Sequence, residues 1–143
     1  MKYDLVYFKD GKIPQISIKV NAFDSNILEI YQTMFEALPK YNAIGLASIQ
    51  LGIPKRIVVA NIDNNKIFAV NPEIIWKSEE TNTMEEGNVS IPNIKIAITR
   101  PKKIKVKFQN ERGEEQILEA DNLLATCIQH EIEQLDGISI LNR

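Results

Sequence analysis

Histidine and cysteine each occur only once in the 143 residues. These two scarcities exclude a good deal. With His130 as the sole imidazole, any scheme that needs two within one chain is ruled out, whether a His-His metal pair or separate acid and base histidines. With Cys127 as the sole thiol, no internal disulfide can form, which agrees with a reducing compartment. Long apolar runs are missing too. None approaches the roughly 18 residues that span a bilayer, and the opening Met1-Lys2-Tyr3-Asp4 has no apolar leader segment, so a cytoplasmic protein without membrane contact is expected. Nor is there an excess of positive charge: a formal charge of -2 and a pI near 5.5 speak against a nucleic-acid partner. No internal repeat, low-complexity tract or linker marks a boundary, so one monomeric domain over residues 1–143 is expected.

What is present is the balance of an ordinary globular chain, 44% hydrophobic and 25% charged. The first 23 residues read as extended and irregular. From Asp24 the apolar residues Ile27, Leu28, Ile30, Tyr31, Met34, Phe35 and Leu38 recur at helical spacing behind the cap candidates Asp24, Ser25 and Asn26, with Pro39 as the expected stop. The small-residue segment Ala43 to Gly52 reads as a tight turn. Arg56 to Ile62 and Ile67 to Val70 suggest a hairpin across Asn64-Asn65, and Met84 to Pro92 reads as a loop by composition. Further strands are expected at Ile94 to Thr99, Lys103 to Gln109 and Glu115 to Glu119. In the second of these, Lys103, Lys105 and Lys107 alternate with Ile104, Val106 and Phe108 as a solvated strand face. A final helix starts near Asp121, marked by Leu124, Ile128 and Leu135, and stops at Gly137. The order defines an α+β fold.

That last helix carries Gln129-His130-Glu131-Ile132-Glu133-Gln134, one residue away from the zinc motif His-Glu-x-x-His. The motif works because side chains at i and i+4 share a helix face and can bind one metal, while the intervening Glu takes a proton from metal-bound water. Here Gln134 stands where the second His belongs. By itself the degenerate motif says little, since a lone His beside a Glu is ordinarily a surface or core residue.

Two more segments add to it. Gly45-Leu46-Ala47-Ser48-Ile49-Gln50, Glu86-Gly87-Asn88-Val89-Ser90 and Gln129-His130-Glu131 together resemble, in order and spacing, the three signature segments of the peptide deformylases. Those usually read Gly-x-Gly-Leu-Ala-Ala-x-Gln, Glu-Gly-Cys-Leu-Ser and Gln-His-Glu-x-Asp-His. Connecting stretches such as Ile53-Pro54-Lys55-Arg56-Ile57, Asn71-Pro72-Glu73-Ile74, Arg100-Pro101 and Leu123 to Ile128 look similar as well, and the resemblance runs from about Asp24 to Leu141.

The resemblance implies antiparallel sheets around a central C-terminal helix. It also implies a metal site, usually iron(II) and often nickel, cobalt or zinc, at Asn88, His130 and Gln134. Only His130 keeps a family ligand there. Amide oxygens are neutral, weak donors for such metals, and full structural zinc sites contribute about 10–16 kcal/mol in small peptides, so no tightly held metal is expected. Glu131 matches the family's catalytic Glu. Gln50 and the backbone N–H of Val89 match the donors that stabilise the developing oxyanion, and Ile44, Gly45, Leu46, Gly87 and His130 are candidate substrate contacts. The expected protein is therefore a deformylase relative that is inactive or impaired on formyl-Met peptides, with a cleft for an N-terminal peptide or a small carbonyl ligand. The alternative is an active deformylase or metal-dependent amidase with a weak metal site, and a third reading is a fold-only interaction protein. The chain stops at Arg143, where many relatives continue into a helix associated with ribosome docking, which puts such docking in doubt. A nucleophilic Cys127–His130 pair is outweighed by a packing role for Cys127. The acidic residues Glu79, Glu80, Glu85 and Glu86 read as a solvated loop.

Overall fold

The computed structural model describes residues 3–143, so Met1 and Lys2 of the opening segment lie outside the described residues. Helix α1, Ser25–Lys40, starts where expected, because the Asp24 carboxylate accepts from the Asn26 N–H at 3.0 Å and so satisfies a free donor of the first turn. Its buried face is Ile27, Ile30, Met34, Ala37 and Leu38, each larger side chain contributing about 1.5–3 kcal/mol when removed from water. Pro39 does not stop the helix at once. The helix continues to Lys40, and the Tyr41 N–H still reaches the Ala37 carbonyl at 3.0 Å.

Seven strands follow: β1 Gly45–Ala47, β2 Ile57–Ile62, β3 Asn65–Lys77, β4 Thr81–Asn88, β5 Ile91–Pro101, β6 Lys103–Gln109 and β7 Glu115–Asp121. All pairings between them are antiparallel, in one sheet ordered β1-β2-β3-β6-β7 and a second made of β4 and β5. The β2–β3 hairpin turns through Asp63 and Asn64, both at positive φ, one residue earlier than the Asn64-Asn65 expected; short polar side chains tolerate that backbone. The Lys103/Lys105/Lys107 alternation holds, with Ile104 and Val106 buried between them.

Two sequence expectations need correction. The small-residue segment is a short strand, β1, paired Gly45 to Ala60 with β2, followed by a 3-10 turn, Ser48–Leu51, that ends on Gly52 in the left-handed region. The supposed loop Met84 to Pro92 is largely the end of β4 and the start of β5. Its alternation exists, since Asn82, Met84, Glu86 and Asn88 turn inward at every second position, but three of the four are polar and so escape a hydrophobic pattern.

Helix α2, Asn122–Leu135, runs through the centre, as the resemblance implied. Ten of its fourteen residues, from Ala125 to Leu135, are buried, so it is enclosed on most sides rather than amphipathic. Strand β2 is covered on both faces. Ile57 and Val59 pack into the core under α1, whereas Val58 joins Ala69, Ile98 and Leu135 on the other side. A third apolar cluster, Ile104, Val106, Ala120, Ala125, Ile128 and Ile132, fixes α2 against β6 and β7. The polar stretch of α2 is thereby held at one depth, facing the 3-10 turn and the end of β4.

Candidate active site

A cleft of about 630 Å³ opens between β1, the β4–β5 sheet and α2. Ile44, Gly45, Gly87, Val89, Gln50, Asn88, His130 and Glu131 all line it. Leu46 does not: it is fully buried in the core beneath α1. Gln134 lies just behind the wall, 1% exposed. The approach of α2 to β1 explains Gly45, because a Cβ there would collide with the Cys127 sulfur and would meet Glu131 Oε2 at 3.0 Å.

At the base of the cleft three carboxamides form a closed ring. Gln50 Nε2 donates to Asn88 Oδ1 at 3.0 Å, Asn88 Nδ2 to Gln134 Oε1 at 3.0 Å, and Gln134 Nε2 to Gln50 Oε1 at 3.0 Å. Each amide both donates and accepts in the same rotational sense, an arrangement in which hydrogen bonds polarise one another. Backbone groups fix the orientation, since the Ala47 N–H donates to Gln50 Oε1 at 2.9 Å and the Ser90 N–H to Asn88 Oδ1 at 2.8 Å. The second N–H of Gln50 goes to Ser90 Oγ at 3.1 Å, and the second of Gln134 to Glu131 Oε1 at 2.5 Å. A primary amide has two N–H groups, so both Gln50 and Gln134 have theirs engaged.

A second network is charged. Arg100, 3% exposed, grips Glu86 through two bonds, Nε to Oε2 at 2.6 Å and Nη2 to Oε1 at 2.9 Å, and reaches Glu133 Oε1 through Nη1 at 3.0 Å. Arg143 closes on the far side of Glu133 at 3.1 Å. Burial by itself would raise the Glu86 pKa, but the hydrogen bonds from His130 and Arg100 outweigh it and hold the carboxyl below its usual range. Glu86 is therefore an acceptor, and His130 Nδ1, 2.9 Å away, is the donor. Burial lowers the imidazole pKa, yet the charges of Glu131 and Glu86 more than offset this and the net shift is upward. Glu131 has less support: burial dominates and pushes its carboxyl up to about 7. Burial also pushes the Cys127 thiol well up, with Glu131 adding to it, which suits the packing role expected of that side chain.

The structure thus brings together every candidate side chain except Leu46. The sequence reading missed the Arg100–Glu86 pair, and the placement of Glu86 in a solvated loop is wrong for that residue, which is buried. The available signal was the inward period of β4, with Glu86 two residues before Asn88. Glu133 and Ser90 likewise emerge as partners only in three dimensions. Among the described residues no group of three or more His, Cys, Asp or Glu side chains is arranged to hold a metal ion.

A cleft at a buried helix bearing His-Glu, with a polar 3-10 turn and a strand end facing it, defines a hydrolase-type scaffold. The comparisons make this specific. The family model for polypeptide deformylase matches residues 2–143, and the chain belongs to that family. It is 38% identical over 151 residues to the peptide deformylase of Brachyspira hyodysenteriae, covering all of this chain and 81% of that one. It is 40% identical over 140 residues to the peptide deformylase of Bartonella tribocorum, covering 93% of this chain and 79% of that one. The crystal structure of the Thermotoga maritima peptide deformylase superposes with a TM-score of 0.93 at 37% identity, covering 99% and 96% of the two chains. A Synechococcus elongatus peptide deformylase in complex with actinonin gives 0.90 at 32% identity, over 96% of this chain and 75% of that one. No helix among the described residues is long and apolar enough to cross a membrane.

Proposed function

We propose that this protein is a cytoplasmic, single-domain peptide deformylase relative that binds peptide N-termini in its cleft and is inactive or severely impaired in removing the formyl group. The observation that carries this reading is the amide ring. Asn88 and Gln134, at two of the three positions where the family resemblance puts ligands, bond to each other at 3.0 Å and to Gln50. One imidazole and two mutually satisfied carboxamides do not fit a firmly held iron, nickel or zinc ion, for which thiolate and imidazole are the stronger donors. A bound metal would supply a water acidic enough to ionise near neutrality. The residues present can shape and desolvate a ligand's N-terminus, position it against β4 and β5, and hold a proton on Glu131.

Elemental analysis of the purified protein alongside an assay on formyl-Met-Ala-Ser tests the proposal. Substoichiometric transition metal and negligible formate release are expected; full occupancy with turnover would overturn it.

A second reading, an active deformylase or metal-dependent amidase with a weak site, is favoured by the relatives, which are called peptide deformylases at 36–40% identity. Glu131 also supports it, since a carboxyl with a pKa of about 7 is suited to general base work. Under this reading Glu131→Gln abolishes formate release from added formyl peptide in metal-supplemented buffer. Under the first the parent already releases negligible formate, so the substitution changes nothing measurable.

A further inference from the structure

Strand β7 is an outer strand of the five-stranded sheet, and none of its residues lines the cleft. Its register with β6 runs without a shift from Gln109 opposite Glu115 to Lys103 opposite Asp121. Just beyond the two ends, the Asn110 N–H donates to the Glu114 carbonyl at 2.9 Å and the Asn122 N–H to the Lys102 carbonyl at 3.0 Å. Antiparallel pairs alternate between hydrogen-bonded and non-bonded, so these two contacts set the phase. Gln116, Leu118 and Ala120 turn their backbone groups toward β6, whereas Glu115, Ile117 and Glu119 turn theirs outward. Among the described residues no strand pairs with that outward side.

Open edges are ordinarily guarded by a bulge, a proline, a lysine or a very short strand. β7 has seven residues, no register shift, and neither proline nor lysine. Its Ile117 is 63% exposed. What it does carry is acid, and that excludes a second copy of itself. Two β7 strands paired antiparallel about Leu118 would set Glu115 against Asp121, and pairing about Ile117 would set Glu115 against Glu119. Like charges directly opposite one another are destabilising.

The same acids suit a basic strand, as β6 shows from the inner side. Lys105 reaches Glu119 at 3.6 Å and Lys107 reaches Glu115 at 3.0 Å, each through one carboxylate oxygen. Both carboxylates stay mostly exposed, at 77% and 61%. On the opposite face Leu118 and Leu124 are only partly buried over the third apolar cluster. We infer that β7 is a docking edge for an extended basic segment of another polypeptide, which adds antiparallel as a sixth strand with Lys or Arg opposite Glu115 and Glu119 and an apolar side chain opposite Leu118. The outward N–H and C=O groups of Glu115, Ile117 and Glu119 supply the main-chain bonds, and the side chains supply the selectivity.

The β6 sequence itself meets this pattern, so acetyl-Lys-Ile-Lys-Val-Lys-Phe-Gln-amide serves as the probe. Titrated into the isotope-labelled full chain, it should move the amide resonances of Glu115, Ile117 and Glu119 saturably. Replacing its three lysines by glutamate should weaken binding about tenfold or more. Methylating the backbone nitrogens of its first two lysines removes main-chain donors and should cost about tenfold as well. Ile117→Pro, at an edge position whose N–H faces outward, should abolish the shifts. Glu115→Lys with Glu119→Lys, at exposed sites, should reverse the preference between the lysine and glutamate peptides, with melting curves showing that each variant is folded. Absence of saturable shifts at these amides overturns the inference, as does equal binding of the N-methylated peptide, which would indicate charge attraction alone. Sedimentation of the chain as a dimer that Ile117→Pro dissociates would assign the edge to a second copy and overturn it too.

Discussion

Asn88 and Gln134, 46 residues apart in sequence, meet amide to amide at 3.0 Å at the base of the cleft. Neither a strand end nor a helix face needs a carboxamide there for its own stability. The contact has meaning only as part of a circuit that includes Gln50, and it ties the 3-10 turn, β4 and α2 together where the family resemblance would put a cation.

If the ring is a structural crosslink, opening it is costly. Gln134→Leu removes one member, leaves Asn88 Nδ2 and Glu131 Oε1 without partners and Gln50 Oε1 with the Ala47 N–H alone, a loss of about 2–4 kcal/mol by the usual penalty for unsatisfied buried polar atoms. Urea unfolding should show a lower midpoint with an unchanged slope. In a double-mutant cycle, Asn88→Ala and Gln134→Ala should be non-additive by about 0.5–3 kcal/mol, since they share one network.

Restoring both family ligands tests whether the scaffold is otherwise intact. The double substitution Asn88→Cys with Gln134→His should bind about one transition metal per chain and release formate from formyl-Met-Ala-Ser. Metal binding without hydrolysis would place the defect elsewhere in the site.

Much of this could be read from the sequence, and the gaps have a common cause. Helix α1 was legible because its buried face is apolar at helical spacing, and β6 because Ile104 and Val106 alternate with lysines. Strand β4 was not, because its inward positions include Asn82, Glu86 and Asn88, whose partners lie on other elements. The positions of Gln50, Asn88, His130, Glu131 and Gln134 around one point followed from the resemblance. Their bonding to one another did not, since sequence spacing says nothing about which amide hydrogen faces which oxygen.

Glu131 makes stability depend on pH in a direction unusual for a carboxyl. Its pKa rises from the ordinary 4.5 to about 7 on folding, so between those values the folded state keeps a proton that the unfolded chain gives up, and stability falls as pH rises. The cost above pH 7 is on the order of 3 kcal/mol, from about 1.4 kcal/mol per unit. Thermal melts should find Glu131→Gln more stable than the parent at pH 8 and close to it at pH 5. An equal difference at both pH values would show that the carboxyl is not responsible.

The opposite dependence belongs to Glu86. Its depressed pKa means a contribution that is present above about pH 4.5 and lost as the pH falls through the folded value. Arg100→Leu should cost about 3–5 kcal/mol at neutral pH because it leaves Glu86 charged and buried. Acid titration followed by circular dichroism should show the loss shrinking as Glu86 becomes protonated.

The closed amide ring also makes positions 88 and 134 interdependent. With Cys at position 88 but Gln still at 134, Gln134 Oε1 loses its donor and only two metal ligands face the cleft. With His at 134 but Asn still at 88, Gln50 Oε1 loses the Gln134 amide and Asn88 Nδ2 loses its acceptor. Each single exchange therefore disrupts the hydrogen-bonded state without completing a metal-bound one. Positions 88 and 134 are therefore coupled, and exchanging both together should cost less stability than the two single exchanges added up.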